Sequence, residues 1–512
     1  MEPLMSLMAG VGLAWQCASK EWSTLGTLLT KLKLDDQKIK MNWGYAGAST
    51  RLHMHCSGEL IRHRKVPTLD IRLDVSIPFH TPGDNSTFQS ITPNVCYVLG
   101  ISDNGGSTSE LLRVLGGPGI GDLRSRLTRL IITEGADASE RLAIKEIMSY
   151  RLPCLGDEHK VRDEWALIVE GRHRLWQQIS IEKKETIRGF LVAFNSEILK
   201  RAHKHFNFRN GSIGNFFLTG ARLFFGSLEA AIFLFSAITG IRDTSVVPII
   251  NTNHTAAIAA ILEDGETLRG QCEISHPGDR KCNHTRLTNP IDAFSKLAIP
   301  HSPIHDNDSH QEEQVNENLI FNKTSEEKLS AAIRRIYYMN EYGQEIYPLP
   351  NPKVIAHLSD RTTLVYSIGS LYTSIVPCLI LRGVGNAIAQ SPTLRHKVLI
   401  LNGTPDRETE EYTAMDFITS ITSALNESQL IDARHDFYDA QMADAPTPPP
   451  CQQHIQQPTA YDPMTRLRKV PVDVVAIEKW GIKCLSVKGD PLASKPYYHA
   501  GRLQAVFESI LE

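Results

Sequence analysis

Two aspartates stand where carboxylates could hold a divalent cation against a phosphate. Asp103 lies in SDNGGS (102–107), directly after the apolar run VCYVLGI (95–101), and Asp122 closes GGPGIGD (116–122), directly before LRSRLTRLI. Mg²⁺ is usually held by one or two carboxylates and completes its shell from substrate oxygens, so Asp103 and Asp122 are the candidate metal ligands. The neighbouring glycines can take positive φ and expose backbone N–H groups, which makes Gly105, Gly106, Ser107 and Gly119 the candidate phosphate cradle. A third such stretch, IGSLYTS (368–374), offers Gly369 for close approach and the hydroxyls of Ser370, Thr373 and Ser374. Asn215 in GSIGN (211–215) and Asn251 after VVPII are candidate base or ribose contacts. Each position also has a plainer reading. Glycine-rich stretches are mostly turns, a lone aspartate before a helix is commonly its cap, and an asparagine at a strand end is commonly a turn residue.

Other chemistries find no matching pattern. The chain has no GxxxxGK[ST] phosphate loop, no GxSxG nucleophile elbow and no HExxH helix, so covalent or hydrolytic catalysis has little support. The histidine-rich stretch His301 to His310 is polar throughout and reads as solvated rather than metal-binding. Nine cysteines are scattered with no CxxC pair, which fits a reducing, cytoplasmic setting rather than a disulfide scaffold. Lys and Arg number 54 against 57 Asp and Glu, so no global charge draws the chain to nucleic acid or an acidic membrane. The N-terminal apolar stretch has Glu2 and no Lys or Arg before it, the wrong flank for a secretory leader. The apolar stretch 216–238 contains Arg222, Glu229 and two glycines, so it reads as two packed helices rather than a membrane span.

These residues need strands that end at them and helices that begin at them. VCYVLGI, VVPIIN (246–251), TTLVY and KVLILN (397–402) read as buried strands, and helices are expected at 109–115, from 123 onward, within 157–205, after GSIGN and from about Ala414. Strands alternating with helices imply a parallel sheet. The alternating stretch AAIAAILEDGETLRGQCEI turns at Glu263-Asp264-Gly265 and reads as a hairpin. Residues 1–93 show no sustained period, 276–330 reads as an insertion, and a proline- and glutamine-rich linker spans 441–464. The final segment 465–512 is expected to be one strand, VPVDVVAIEKWGIKCLSV, and one helix, Ala500 to Leu511, rejoining the 94–440 domain.

At these loops the chain resembles the family of 2-phospho-L-lactate transferase and the bacterial gluconeogenesis factor, in its fungal-type branch. The residues that carry the resemblance are GISDNGGSTSELLRVLGGPGIGDLRSRL (100–127), GSIGNFFLTGARL (211–223), VVPIIN, LEDGETLRGQ (262–271), YSIGSLYTSIVPCLI (366–380) and KVLILNGTPDRETEEYTAMDFI (397–418). The resemblance implies a CofD-like, Rossmann-like α/β/α three-layer sandwich with a mostly parallel sheet. It implies a nucleotide-linked ligand such as a UDP-sugar or a GDP-linked donor, Mg²⁺ held at Asp103 and Asp122, and a homodimer without nucleic-acid or membrane partners. In transferase members a phospholactyl-type group passes from a nucleotide diphosphate to a deazaflavin hydroxyl. In the gluconeogenesis-factor members a similar cleft belongs to a regulatory protein that binds a UDP-sugar.

Family members usually begin with a strand entering a GGTG-like or SGGTA-like loop. Residues 1–93 offer no such strand and loop; GYAGAST (44–50) is the nearest sequence and follows no apolar run. Loss of that strand would open a sheet edge and remove part of the ligand floor. Two functions therefore stand side by side: a Mg²⁺-dependent transferase of a phosphorus-containing group, and a non-catalytic binder of a nucleotide sugar.

Overall fold

A computed structural model describes residues 71–73, 88–276, 328–438, 469–489 and 498–511, apart from a few positions within these ranges. The expectations placed on residues 1–70, on most of the 276–330 insertion and on the 441–464 linker lie outside the described residues.

In chain order the elements are β1 (Ile71–Leu73), β2 (Cys96–Leu99), α1 (Ser107–Leu115), α2 (Gly121–Arg129), α3 (Ala138–Ser149), α4 (Glu158–Val169), α5 (Ile181–Leu199), α6 (Ile213–Phe225) and α7 (Leu228–Thr239). There follow β3 (Ser245–Pro248), β4 (Ala257–Leu262), β5 (Thr267–Arg269), α8 (Gln271–Ser275), β6 (Ile333–Met339), β7 (Glu345–Ile346), α9 (Pro352–Asp360) and β8 (Thr363–Tyr366). A π-helical turn (Leu371–Ile375) runs into α10 (Val376–Leu379), and α11 (Val384–Gln390), β9 (His396–Leu399), α12 (Ala414–Tyr438), α13 (Val474–Lys479) and α14 (Ala500–Leu511) complete the chain.

Five strands form a wholly parallel sheet in the order β3-β2-β1-β8-β9. Every residue of β2 and β8 is buried, as expected for parallel strands covered on both faces, and this is why they read in sequence as unbroken apolar runs. Strand order reverses at β1, so the crevice at the carboxyl ends of β2 and β8 is the topological place for a ligand. Both candidate loops, 100–106 and 367–370, leave the sheet there.

The N-terminal segment does hold a strand. Ile71–Leu73 pairs with Cys96–Val98 on one side and Leu364–Tyr366 on the other, at the centre of the sheet inside the segment where the sequence shows no strand. Three residues interrupted by Arg72 are too short to produce a periodic signal, and their pairing partners supply what the local pattern lacks. The residues that follow it, 74–87, lie outside the described set, so the expected glycine loop is not placed.

A second correction concerns the C-terminus. VPVDVVAIEKW holds a helix, α13, rather than a strand: Asp473 accepts the Ala476 N–H at 3.0 Å, and this cap overrides the β-propensity of the valines. The hairpin at Glu263-Asp264-Gly265 joins β4 to β5, and with β6 and β7 they make a separate antiparallel sheet in the order β5-β4-β6-β7.

Helices α4 to α7 are held by aromatic packing. Trp165 meets Phe194, Phe208 and Phe216, with ring centroids 5.2–5.9 Å apart, and its indole N–H donates to Asn195 Oδ1 at 3.0 Å. The α5–α6 crossing is close because of Gly220, where a Cβ would fall 2.1 Å from the Phe190 carbonyl oxygen. Gly220→Ala is therefore expected to destabilise the fold by about 2–3 kcal/mol, the usual cost of overpacking, and an unchanged urea midpoint would show that the crossing is looser than this. Among the described residues no single helix is long and apolar enough to cross a membrane. The apolar stretch 216–238 divides at Gly226 into α6 and α7, as expected.

Candidate functional site

The two glycine-rich loops are stitched together before any ligand is considered. Asp103 Oδ1 accepts the Gly105 N–H at 2.9 Å, and the Gly119 N–H donates to the Ile101 carbonyl at 2.7 Å. Contact is so close that a Cβ on Gly119 would fall 2.2 Å from the Asp103 carbonyl oxygen, and one on Gly121 would fall 2.2 Å from Asp103 Oδ2. Only glycine at both positions lets the Asp103 carboxylate reach the N-terminus of α2, where Asp122 occupies the first turn. Burial first, and then the Asp122 charge, push the Asp103 carboxyl up to about 7, against the pull of the Gly105 N–H, Arg124 and Arg151. The sequence-derived acidic pair is thus brought together.

Two arginines face this pair. Arg124 Nε donates to Asn215 Oδ1 at 3.1 Å, Asn215 Nδ2 donates to Ser107 Oγ at 3.0 Å, and Arg151 Nη1 reaches Ser107 Oγ at 3.4 Å and the Asn210 carbonyl at 3.2 Å. Burial, and then repulsion by Arg151, lower Arg124 to about 10 while Asp103 and Asp122 oppose the change. Arg151 is lowered by burial too, with Asp103 opposing. Among the described residues neither guanidinium makes an ion pair. Arg124 is half-buried and Arg151 exposed, so guanidiniums without ion pairs stand at the edge of the acidic pair, where a phosphate could engage them. Gly214 allows the arrangement, since a Cβ there would meet Arg124 Cγ and Cδ at 3.0 Å and the Met148 carbonyl at 2.3 Å.

Several sequence-derived roles change. The N–H groups of Gly105 and Gly119 are spent on Asp103 and Ile101, so they close the loops rather than line a phosphate cradle. Gly106 caps α1 at φ 51°, and Ser107 sits inside the Arg151–Asn215 network. Asn215 is buried and holds Arg124, so it positions a cation rather than presenting itself to a base. Asn251 is exposed past β3 and is not joined to the other candidates by any hydrogen bond among the described residues. Across the crevice, the Gly369 carbonyl accepts from Asn402 Nδ2 at 3.3 Å, and the Ser370 carbonyl accepts the Ser374 and Ile375 N–H groups. The Thr373 hydroxyl donates inward to Glu408 at 2.6 Å. Cys378 in α10 is pushed up to about 12 by burial and then by Asp122, so α10 and the acidic pair share one neighbourhood.

Arg124, Arg151 and Glu408 escape the sequence reading. Glu408 accepts from the Tyr372 and Thr373 N–H groups, the Thr373 hydroxyl and the Ser275 hydroxyl at 2.6–3.1 Å, clamping the π-helical turn to α8. Burial, then Asp406, raise its carboxyl above the usual range while those donors oppose. Asn104 ties the first loop to the same region, accepting the Cys272 N–H at 3.1 Å beneath Gly270.

Among the described residues no group of three or more His, Cys, Asp or Glu could hold a metal by itself. The donor set that exists is two hard carboxylates, Asp103 raised by burial and then by the Asp122 charge, and a divalent cation would relieve that conflict. This fits Mg²⁺, which would take its remaining oxygens from ligand and water.

The family described as 2-phospho-L-lactate transferase CofD matches residues 86–488. "Uncharacterized protein YNL011C" of Saccharomyces cerevisiae is 40% identical over 355 residues, covering 64% of this chain and 76% of its own. A "Putative gluconeogenesis factor" of Nostoc sp. is 27% identical over 268 residues, covering 51% of this chain and 45% of its own, so the chain spans less than half of that relative. Among solved structures, protein BH3568 from Bacillus halodurans has a TM-score of 0.48 at 16% identity, covering 87% of this chain and 100% of its own. Because the family match takes in both glycine-rich loops, the GSIGN helix and all of β2 to β9, the chain belongs to the 2-phospho-L-lactate transferase CofD family.

Proposed function

We propose that the chain binds a nucleotide or nucleotide sugar by its phosphates, at the crevice between the 100–106 loop and α10, with Mg²⁺ between Asp103 and Asp122. The observation that carries this is the placing of two guanidiniums without ion pairs, half-buried Arg124 and exposed Arg151, next to the carboxylates of Asp103 and Asp122. The arginines supply positive charge, the carboxylates supply a cation site, and a ligand bearing phosphate oxygens answers both. Bound there, Mg²⁺ would neutralise the charge of the donor's diphosphate, whose P–O–P bond would break as the acceptor hydroxyl takes the phosphorus-containing group and a nucleoside monophosphate leaves. Arg124 and Arg151 would hold the non-bridging oxygens, and Asn215 and Ser107 would keep both guanidiniums in place. On this reading the protein is a Mg²⁺-dependent transferase of a phospholactyl-type group, working in the cytoplasm as a homodimer of three-layer subunits.

A second reading is a regulatory binder of a UDP-sugar. It is favoured by one observation: the glycine N–H groups expected to stabilise developing charge are already bonded within the loops. The test is equilibrium binding of nucleoside diphosphates and UDP-sugars with and without Mg²⁺, followed by product analysis after long incubation. Affinity that depends on Mg²⁺ and falls roughly 10- to 100-fold in Arg124→Gln, as loss of a charge-assisted contact should give, supports the site. Release of nucleotide or transfer then separates enzyme from binder. Equal affinity in wild type and Arg124→Gln removes the assignment.

A further inference from the structure

Two consecutive residues after β9 hold two different helix ends. Arg407 Nη1 donates to the carbonyls of Glu273, Ile274 and His276 at 2.5–3.3 Å, at the C-terminal end of α8, where carbonyls lack partners within the helix. Glu408 Oε2 accepts the Tyr372 N–H at 2.9 Å and the Thr373 N–H at 3.1 Å, both at the start of the π-helical turn. Its Oε1 accepts the hydroxyls of Thr373 at 2.6 Å and Ser275 at 2.7 Å. Each charge has the sign that its helix end favours. The backbone of this segment is itself fixed, since Asp406 Oδ1 accepts the Glu408 N–H at 3.1 Å and the Thr409 hydroxyl at 2.7 Å.

Glu408 is 3% exposed, and among the described residues it makes no ion pair. A buried carboxylate without a cation costs stability even when neutral donors surround it, so packing alone does not call for one. A π-helical turn is an uncommon geometry too, met mostly at functional sites. Both costs fall in the same wall of the crevice, the one that leaves β8.

That wall is joined to the opposite one by α8. The Cys272 N–H donates to Asn104 Oδ1 at 3.1 Å, beside Asp103, while Ser275 at the other end of this five-residue helix bonds Glu408 and, at 3.2 Å, the Thr373 hydroxyl. Helix α8 is therefore a crossbar between the loop after β2 and the turn after β8. The β2 side does not need the crossbar for its shape, because the Asp103–Gly105 and Gly119–Ile101 bonds stitch it from within.

We infer that Glu408 is a positioning residue, which holds α8 and the π-helical turn as one wall against the part of the ligand that lies beyond its diphosphate. The assignment rests on the crevice binding a nucleotide-linked ligand. With the diphosphate at Asp103, Asp122 and the two arginines, the rest of such a ligand runs across the crevice toward the carboxyl end of β8. Glu408 acts on it through the main chain and hydroxyls that it fixes, without touching it.

The experiment is calorimetric binding of UDP and of UDP-glucose, with Mg²⁺, to the full chain as wild type, Glu408→Gln and Glu408→Ala, together with hydrogen exchange of residues 371–375. In Glu408→Ala, UDP-glucose affinity is expected to fall roughly 10-fold while UDP affinity changes less than about 2-fold, as a misplaced wall should give. Exchange at 371–375 is expected to quicken in the same variant. Formate at about 100 mM, a carboxylate small enough for the vacated place, is expected to restore both readouts in Glu408→Ala and to leave wild type unmoved. Glutamine keeps an oxygen for the two N–H groups and can donate to the two hydroxyls, so Glu408→Gln is expected to stay within about 3-fold of wild type. Ser275→Ala removes only the α8 end of the clamp and is expected to show the same split at about 3-fold, a readout that leaves the carboxylate in place. Equal losses for UDP and UDP-glucose overturn the inference, since a general loosening gives that result. So do unchanged UDP-glucose affinity in Glu408→Ala and Ser275→Ala, and formate without effect. A wild type that binds neither UDP nor UDP-glucose sinks the crevice reading and this inference together, whereas binding by wild type with equal losses in the variants sinks this inference alone.

Discussion

Asp103→Asn is expected to remove the Mg²⁺-dependent part of nucleotide affinity, by about 100-fold or more, and at the same time to make the ligand-free protein more stable at pH 7.5. The two effects share one cause. In the folded chain the Asp103 carboxyl is held at about 7 by burial and by Asp122, against 3.8 for the free group, so the folded state binds that proton more tightly than the unfolded state. The stability this group contributes is complete below pH about 4 and is lost as pH rises toward 7. At pH 7.5 the wild type therefore carries a charge that the Gly105 N–H, Arg124 and Arg151 only partly offset, with an upper bound of about 4 kcal/mol for a displacement of roughly three pH units. Asparagine keeps an oxygen for the Gly105 N–H and has no proton to lose. Its melting temperature should exceed the wild type's by a few degrees at pH 7.5 and match it near pH 4. Mg²⁺ with nucleotide should raise the wild type and leave the variant unmoved. Melting curves at the two pH values, with and without Mg²⁺, decide the matter; a variant that still responds to Mg²⁺ would remove Asp103 from the metal site.

Gly119→Ala should be the most damaging single methyl in the site. Its Cβ would meet backbone, at 2.2 Å from the Asp103 carbonyl oxygen and 2.9 Å from both the Asp103 nitrogen and the Ile101 carbonyl oxygen, and backbone cannot rotate out of the way as a side chain can. A cost of about 3 kcal/mol or more is expected, at the upper end for overpacking, together with loss of ligand affinity as the two loops part. The natural comparison is Gly189→Ala in the middle of α5, where the added methyl meets nothing within 4 Å. Helix propensity alone should make that variant about 0.5–1 kcal/mol more stable. Urea unfolding of both proteins checks the pair, and similar midpoints would mean that the loop contact yields more easily than its geometry implies.

What the residues reveal before folding follows from how far away their determinants lie. β2 and β8 are legible because burial on both faces leaves nothing but apolar side chains, and Asp103 and Asp122 are legible because they follow or precede such runs. β1 is illegible, since Ile71, Arg72 and Leu73 are made a strand by neighbours at Cys96 and Leu364. α13 misleads because its valines favour strand while Asp473 caps a helix. The arginines of LRSRLTRL fall off the leucine stripe, and their spacing alone gives them no role. Yet Arg126 lies 4.6 Å from the ring of Tyr97, and Arg124 is enclosed by Gly214 and Asn215 on a helix far along the chain. An acidic pair can be guessed from local pattern, whereas its basic counterpart exists only once α6 arrives.

The central strand has a consequence for synthesis. β1 leaves the ribosome early, but its β8 partner, with Ile71 opposite Leu364, follows about 290 residues later, roughly 15 to 60 seconds at ordinary elongation rates. Through that interval β2 and β3 can pair on one side while the other side of β1 stays an open template for any extended chain nearby. Nascent chains stalled before residue 363 should accordingly be the species that chaperones hold and that aggregates recruit, and the interval, more than final stability, would set the yield of folded protein.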